Sequence, residues 1–398
     1  MISTRTVDYE FRPDVMVIGS MLSELAIAPA LQDLIDALAS SKCGKITVVS
    51  RPFPSIVDNQ KNGLTLIALP QVLRYHGKWR LLRWWNSFSK YVVAQALVFL
   101  KFLELARDHE IFIFQLSEPF PVALLARAMH KPTIYYVGGS GLKSMLAKAR
   151  TSTPRFLLAH LIKFPQILMV VLSSFLAAPS WNTIQEAGFG RYAEKTRICG
   201  LYVDLKAFGV LKPFVLRASS VGYVGRLEEE KGFRQFVEAV PLVRAKKREI
   251  QFVVCGGGSL QSLLKEQTVD REIEFLGLVP NDKMPAVMNE LKLLVVPSFT
   301  EGFGRVILEA MACGTPVLAT GVEGVKALIS DGKTGFLIDR NDSLSIARKI
   351  VSLMSSPDSL QSVSIEARKY VEGTFTFDQR ADSWRRILLD AHVWRQDD

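Results

Sequence analysis

The stretch from Ser298 to Thr320 constrains the fold of this 398-residue chain more than any other. It follows the apolar run Leu293-Leu-Val-Val-Pro297, which reads as a buried parallel strand. Gly302 and Gly304 make a loop through which the backbone can approach a ligand closely. A helix then carries Arg305 to Cys313, and Gly314 stands where a helix-ending glycine belongs. Thr315-Pro316 turns the chain into a second strand, Val317 to Thr320. Strand, glycine loop, helix and strand in this order build a parallel α/β sheet, and the unpaired amides at the helix start form an anion site.

Two carboxylates fall inside that anion site. Glu301 precedes the helix and Glu309 lies within it, seven residues between them. An ionised carboxylate only accepts hydrogen bonds and repels phosphate, so in such a pocket it must address uncharged hydroxyls. Sugar or ribose hydroxyls beside a phosphate are natural partners. The plainer alternative is a pair of solvent-facing glutamates on a helix.

The run Glu301-Gly-Phe-Gly followed by Glu309-Ala-Met-Ala-Cys-Gly-Thr-Pro-Val-Leu-Ala resembles the E-x7-E signature of retaining glycosyltransferases of family 4. That resemblance implies a GT-B fold, two Rossmann-like doubly wound α/β domains facing across a cleft. It implies that Glu301 contacts the donor sugar and Glu309 the ribose of the nucleotide, with Gly302, Phe303 and Gly304 against sugar and phosphate. Other segments extend it. Gly225-Arg226 and Lys231-Gly232 match the positions of two cations on the donor diphosphate, where they favour the charge that develops as the sugar–oxygen bond breaks. The alternative is that both pair with Glu228 to Glu230. Gly256-Gly257 after the strand Ile250 to Cys255 is a second close-approach loop, and Ile273 to Val279 resembles the segment whose backbone holds the base. Asp331-Gly-Lys-Thr-Gly-Phe-Leu matches a structural turn of the family, and Leu201 to Phe208 its interdomain linker. These matches run over residues 196–375; before them the resemblance is architectural.

The first half reads as strands at Asp14–Ile18, Lys45–Ser50, Leu64–Leu69, Ile111–Gln115 and Thr133–Val137, with helices from about Leu22 to Ala39, Tyr91 to Ala106 and Pro121 to His130. Gly19 is the one glycine of the first strand–helix turn, so a dinucleotide fingerprint is lacking and its place over the donor phosphates rests on the resemblance. Many family members carry a histidine near Gly138-Gly-Ser-Gly141; here the loop has none, and Ser140 or backbone amides take its place. The apolar stretch Phe156 to Ala178 contains Lys163 and Pro165, which favours a surface-active or buried helix and then a strand ending at Ser180 over a membrane span. The expected domains are 1–200 for the acceptor and 201–377 for the nucleotide-sugar, with a last helix, about 378–398, packing back on the first.

Charge is unevenly placed. Residues 1–200 hold 23 Lys and Arg against 13 Asp and Glu, whereas the remainder holds 26 of each. No acid lies between Asp58 and Glu104, nor between Glu118 and Glu186. Within the first gap Arg74 to Trp85 interleaves basic residues with three tryptophans, a composition suited to a membrane interface or to a packed aromatic face. An anionic membrane surface is therefore the expected partner of the first domain, and no nucleic-acid motif accompanies the charge. Four scattered cysteines form no metal-like spacing, no D-x-D occurs, and acids at Asp8, Glu10 and Asp14 without an apolar core exclude a signal peptide.

The expectation is a metal-independent, retaining hexosyltransferase. It moves sugar from a nucleotide-sugar, with UDP assumed, to a lipid-linked or glycan acceptor, and works in the cytoplasm on the inner membrane face without a cofactor. The rival readings are a nucleotide-sugar epimerase of the same fold and a non-catalytic nucleotide-sugar-binding protein.

Overall fold

A computed structural model divides the chain into two units, Met1–Gly200 with Arg380–Asp398, and Leu201–Gln379. It describes residues 12–18, 28–40, 44–50, 64–68, 96–115, 120–138, 164–266, 273–301, 304–339 and 341–397.

The first unit is built on short runs that are apolar on both sides. β1 (Val15–Ile18), β4 (Ile111–Phe114) and β6 (Phe175–Ala178) are buried at every residue, as a sheet covered on both faces requires. With β2 (Ile46–Ser50), β3 (Leu64–Ala68), β5 (Thr133–Tyr136) and β7 (Thr196–Ile198) they form a parallel sheet in the order β3-β2-β1-β4-β5-β6-β7. Alternate residues feed alternate cores. Val15, Val17, Ile111 and Ile113 pack with Leu31, Leu34 and Leu38 of the helix Ala28–Ser40 and with Trp384 and Leu388 of the last helix, Phe377–Asp397. On the other face Met16, Ile18, Phe112 and Phe114 pack with Val98 and Phe102 of helix 96–105, Val122 and Ala126 of the helix Phe120–Ala128, and Met169 and Val170 of helix 164–172. Arg380 donates to the Gly200 carbonyl at 2.9 Å, and Arg197 pairs with Asp390 at 2.6 Å, tying the last helix to the end of this unit.

The second unit repeats the pattern. β8 (Ser220–Val224), β9 (Gln251–Cys255), β10 (Ile273–Gly277), β11 (Leu293–Val296), β12 (Val317–Thr320) and β13 (Phe336–Ile338) run parallel in the order β10-β9-β8-β11-β12-β13. One face carries the helices Phe233–Arg244 and Ser343–Met354 and the other Arg305–Ala312, while Pro357–Thr374 gives Leu360 and Val363 to the first core and Ala367 and Val371 to the second. In both sheets the chain starts in the middle and winds outward twice, the doubly wound order that leaves one topological switch point. These lie between β1 and β4, and between β8 and β11.

Several sequence expectations shift at their ends. His130, read as helical, lies past the helix that closes at Ala128 and takes φ +52°, a left-handed terminus of the kind that ends helices. The apolar stretch beginning at Phe156 is helical over 164–172 within the described residues, and a two-residue break at Ser173-Ser174 starts β6. No described helix is long and apolar enough to cross a membrane. The Arg74–Trp85 segment lies outside the described residues.

Trp384 is fully buried between the sheet and the last helix, its ring 6.2 Å from that of Tyr136. Trp384→Ala should destabilise the first unit by roughly 3–5 kcal/mol, seen as an earlier unfolding transition in urea.

Candidate functional site

The second switch point gathers the sequence-predicted residues. β8 and β11 are neighbours, so the loops leaving their carboxyl ends meet. The β8 loop carries Arg226 and Lys231, and the β11 loop carries Ser298 and Glu301. The Phe299 amide donates to the Glu230 carbonyl at 3.0 Å and joins the loops. Gly232, at φ +65°, makes that approach possible, because a Cβ there would sit 1.7 Å from the Pro297 carbonyl oxygen. The Asn341 side-chain amide donates to the same oxygen.

Lys231 Nζ lies 2.7 Å from Glu301 Oε2, with the side chains 22% and 14% exposed. Ser298 Oγ donates to the same carboxylate oxygen at 3.1 Å. The other oxygen, Oε1, accepts the Gly304 amide at 3.2 Å. Glu301 thus sits at the head of the helix Arg305–Ala312, where a negative charge complements the dipole and an unpaired amide needs an acceptor. Gly304 stands at the N-cap with φ +63°. Glu309, one turn into the helix, has Oε1 3.9 Å from Arg305 Nε and is the more buried of that pair.

The β9 loop closes the group. Gly256 takes φ +139° and lies so near the β8 loop that a Cβ would come within 1.9 Å of the Gly225 oxygen. The Gly225 amide donates to the Cys255 carbonyl at 3.0 Å, the Leu227 amide to Gly257 at 3.0 Å, and Ser259 donates twice to Glu228. Val279 is half-buried just past β10. Tyr223, under the β8 loop, donates its hydroxyl to the Arg226 carbonyl at 2.6 Å; burial, then Glu301, pushes its phenol well above the ordinary range.

The structure therefore brings together Gly225, Arg226, Lys231, Gly256, Gly257, Glu301 and Gly304 on three linked loops, with Glu309 on the helix that follows. The two cations part company: Arg226 pairs with Glu230 at 3.2 Å, while Lys231 crosses to Glu301 instead of joining the acids beside it. Gly302, Phe303, Gly19 and Ser140 lie outside the described residues.

The sequence reading missed the other end of the same helix. Arg217, 3% exposed, donates to the carbonyls of Cys313 (2.7 Å) and Leu291 (3.1 Å), to Thr315 Oγ1 (2.7 Å) and to Asn289 Oδ1 (3.2 Å). Asn289 in turn holds the backbone of Gly209, Leu211 and Lys212. Arg368 donates to the carbonyls of Ala312 and Phe208. Cys313 is buried among these groups, and burial pushes its thiol up to about 12. Also missed was Thr320, buried at the end of β12 with its hydroxyl unpaired among the described residues.

A half-buried glycine backbone, two cations, a helix start and two carboxylates suit a ligand carrying both phosphate and hydroxyls. Comparison with known proteins locates such ligands on similar chains. Residues 216–370 match the family model described as Glycosyl transferases group 1. A D-inositol 3-phosphate glycosyltransferase of Corynebacterium jeikeium is 35% identical over 153 residues, 36% of either chain. The capsular polysaccharide biosynthesis glycosyltransferase CapM of Staphylococcus aureus is 30% identical over 165 residues, 39% of this chain and 42% of that one. The similarity thus spans less than half the length of these curated relatives. Among solved structures, Anabaena HepE in complex with UDP and glucose superposes with a TM-score of 0.70 at 18% identity, covering 95% of this chain and 99% of that one. Sucrose-phosphate synthase from Thermosynechococcus elongatus reaches 0.72 at 20%, covering 97% and 99%. The chain has the GT-B fold of two Rossmann-like parallel-sheet domains.

Arg217→Ala would take the donor from the Cys313, Leu291 and Lys212 carbonyls and from Thr315 Oγ1, while Asn289 Oδ1 would keep the Leu211 and Lys212 amides. It should cost roughly 3 kcal/mol, measured as a lowered denaturation midpoint of the second unit, and Arg217→Lys should recover only part of it.

Proposed function

We propose that the protein is a retaining glycosyltransferase that moves a hexosyl unit from a nucleotide-sugar, with UDP as the nucleotide, to a lipid-linked or glycan acceptor. The observation that carries this is the Lys231–Glu301 pair at the head of the helix Arg305–Ala312, beside the Gly225 and Gly256 loops and inside the segment that matches the glycosyltransferase model. A lysine has three donor protons, so Lys231 can hold Glu301 and still reach a diphosphate oxygen. Arg226, half-exposed, adds a second cation on the same loop. Cations and amides held in place before the reaction stabilise the leaving diphosphate without reorganising, and no metal is invoked. Glu301 accepts hydroxyls of the sugar and Glu309 those of the ribose. Attack on the face from which the diphosphate leaves, assisted by its oxygen, accounts for retention.

The uneven charge supports a membrane-proximal acceptor. All the excess positive charge lies in residues 1–200, which favours peripheral attachment to an anionic inner membrane face.

A thermal-shift panel of UDP, GDP, ADP and their sugar conjugates tests the donor reading, because a ligand bound only to the folded state raises its melting point. UDP and a UDP-sugar should shift the protein. In Glu309→Ala their affinity should fall by roughly 1–3 kcal/mol, the worth of one charge-assisted hydrogen bond. An unchanged affinity removes Glu309 from the site, and turnover of the donor separates a transferase from a binding protein. Neutralising Arg80 and Arg83 together should reduce sedimentation with anionic liposomes; unaltered sedimentation moves the membrane contact elsewhere.

A further inference from the structure

Tyr223 ends in a hydroxyl that its core does not need. Its ring packs with Phe233 and Phe236, with 5.0 and 5.4 Å between centroids, and Phe236 meets Phe252 at 6.1 Å. These three neighbours are phenylalanines, and a fourth would fill the same space. A buried hydroxyl is unfavourable unless it is bonded. Tyr223 is 3% exposed and gives its one proton to the Arg226 carbonyl at 2.6 Å. Burial, then Glu301, holds the phenol well above its ordinary range, so the hydroxyl stays a donor around neutral pH.

That carbonyl belongs to the turn on which the first cation stands. Gly225 and Leu227, on either side of Arg226, donate their amides to the Cys255 and Gly257 carbonyls at 3.0 Å. The Glu228 amide returns to the Arg226 carbonyl at 2.9 Å. Three backbone bonds thus hold the turn, and Tyr223 adds one from a side chain beneath it. Gly225 is caught between two walls. A Cβ on it would lie 3.8 Å from the Tyr223 hydroxyl, and its own oxygen is the atom that a Cβ on Gly256 would strike. With the carbonyl drawn inward, the Arg226 side chain stays 54% exposed. The same tyrosine ring packs on Phe233, the first residue of the helix that follows Lys231 and Gly232. Tyr223 therefore meets both ends of the loop that carries the two cations.

We propose that Tyr223 is a positioning residue for the donor diphosphate: its hydroxyl fixes the turn 225–227, and with it the reach of Arg226, without touching the ligand. The word diphosphate rests on the nucleotide-sugar reading, but the hold on the turn rests on the Tyr223 geometry alone. The hydroxyl is buried and already bonded, so it acts through the loop backbone. A cation fixed before binding loses less freedom when the phosphate arrives, and that difference appears as affinity. A turn released from below would have to be ordered by the ligand.

The test compares Tyr223→Phe with Phe252→Leu in the full-length chain, by titration with UDP and with uridine and by hydrogen exchange of the 225–228 amides. Tyr223→Phe should bind UDP about fivefold more weakly, the factor expected for one hydrogen bond, with its affinity for uridine unchanged. Its 225–228 amides should exchange faster than those of the unaltered protein. Phe252→Leu takes a ring from the same cluster but no hydroxyl. It should lower the denaturation midpoint and leave the UDP affinity as it was. Unchanged UDP affinity in Tyr223→Phe overturns the proposal whatever the exchange shows. So does an equal loss of UDP and uridine, or a UDP loss of the same size in Phe252→Leu, since the hydroxyl then supports only the core. An unaltered protein that binds no UDP counts against the donor reading instead. The exchange measurement then decides alone, and equal exchange in Tyr223→Phe and the unaltered protein overturns the hold on the turn.

Discussion

The helix Arg305–Ala312 is held at its two ends by opposite charges, and the second domain is arranged around that fact. At its head the Glu301 carboxylate accepts the Gly304 amide; at its tail the Arg217 guanidinium takes the Cys313 carbonyl. Each charge meets the end of the helix dipole that it complements. The helix is only eight residues long, too short to persist by propensity alone. Its place comes from these clamps and from Ile307, Leu308 and Met311 packed under the sheet. Because Glu301 also holds Lys231, the clamp at the head brings two loops into register with the helix start.

The glycines make that register possible. Gly232 and Gly256 allow the β8 loop to touch both its neighbours at distances that a side chain would forbid. The result is a surface of backbone and polar side chains gathered at the strand ends. The tail clamp does different work. Arg217 and Asn289 pin residues 209–217, the segment through which the chain enters the second domain, to the base of the same helix. The site and the entering chain are thereby tied to one element.

Much of the fold was legible from local pattern. Val15–Ile18, Ile111–Phe114 and Leu293–Val296 are runs too apolar for a one-sided sheet, and helices of ordinary length separate them, so a covered parallel sheet followed. Ser298 to Thr320 announced its strand, loop, helix and strand through glycines and one proline. The ends of elements were less legible, as at His130, where a single left-handed residue closes a helix and nothing nearby in sequence requires it. Arg226 and Lys231 looked equivalent, five residues apart on one loop. The fold turns one toward Glu230 and the other toward Glu301, seventy residues away.

What the sequence by itself determined is the alternation of buried strands and amphipathic helices, the glycine positions, and the unequal division of charge between the two halves. These follow from periodicity and composition, which act over a few residues. Only the tertiary structure decided which polar groups are paired. Arg217 reads as an ordinary surface cation until Leu291, Cys313 and Thr315, 74 to 98 residues on, surround it. Gln115 reads as the end of a strand until the strand beside it proves to be β1, with no polar partner for the carboxamide among the described residues. Hydrogen bonds act over about 3 Å, and the neighbours at that range are set by the winding of the sheet.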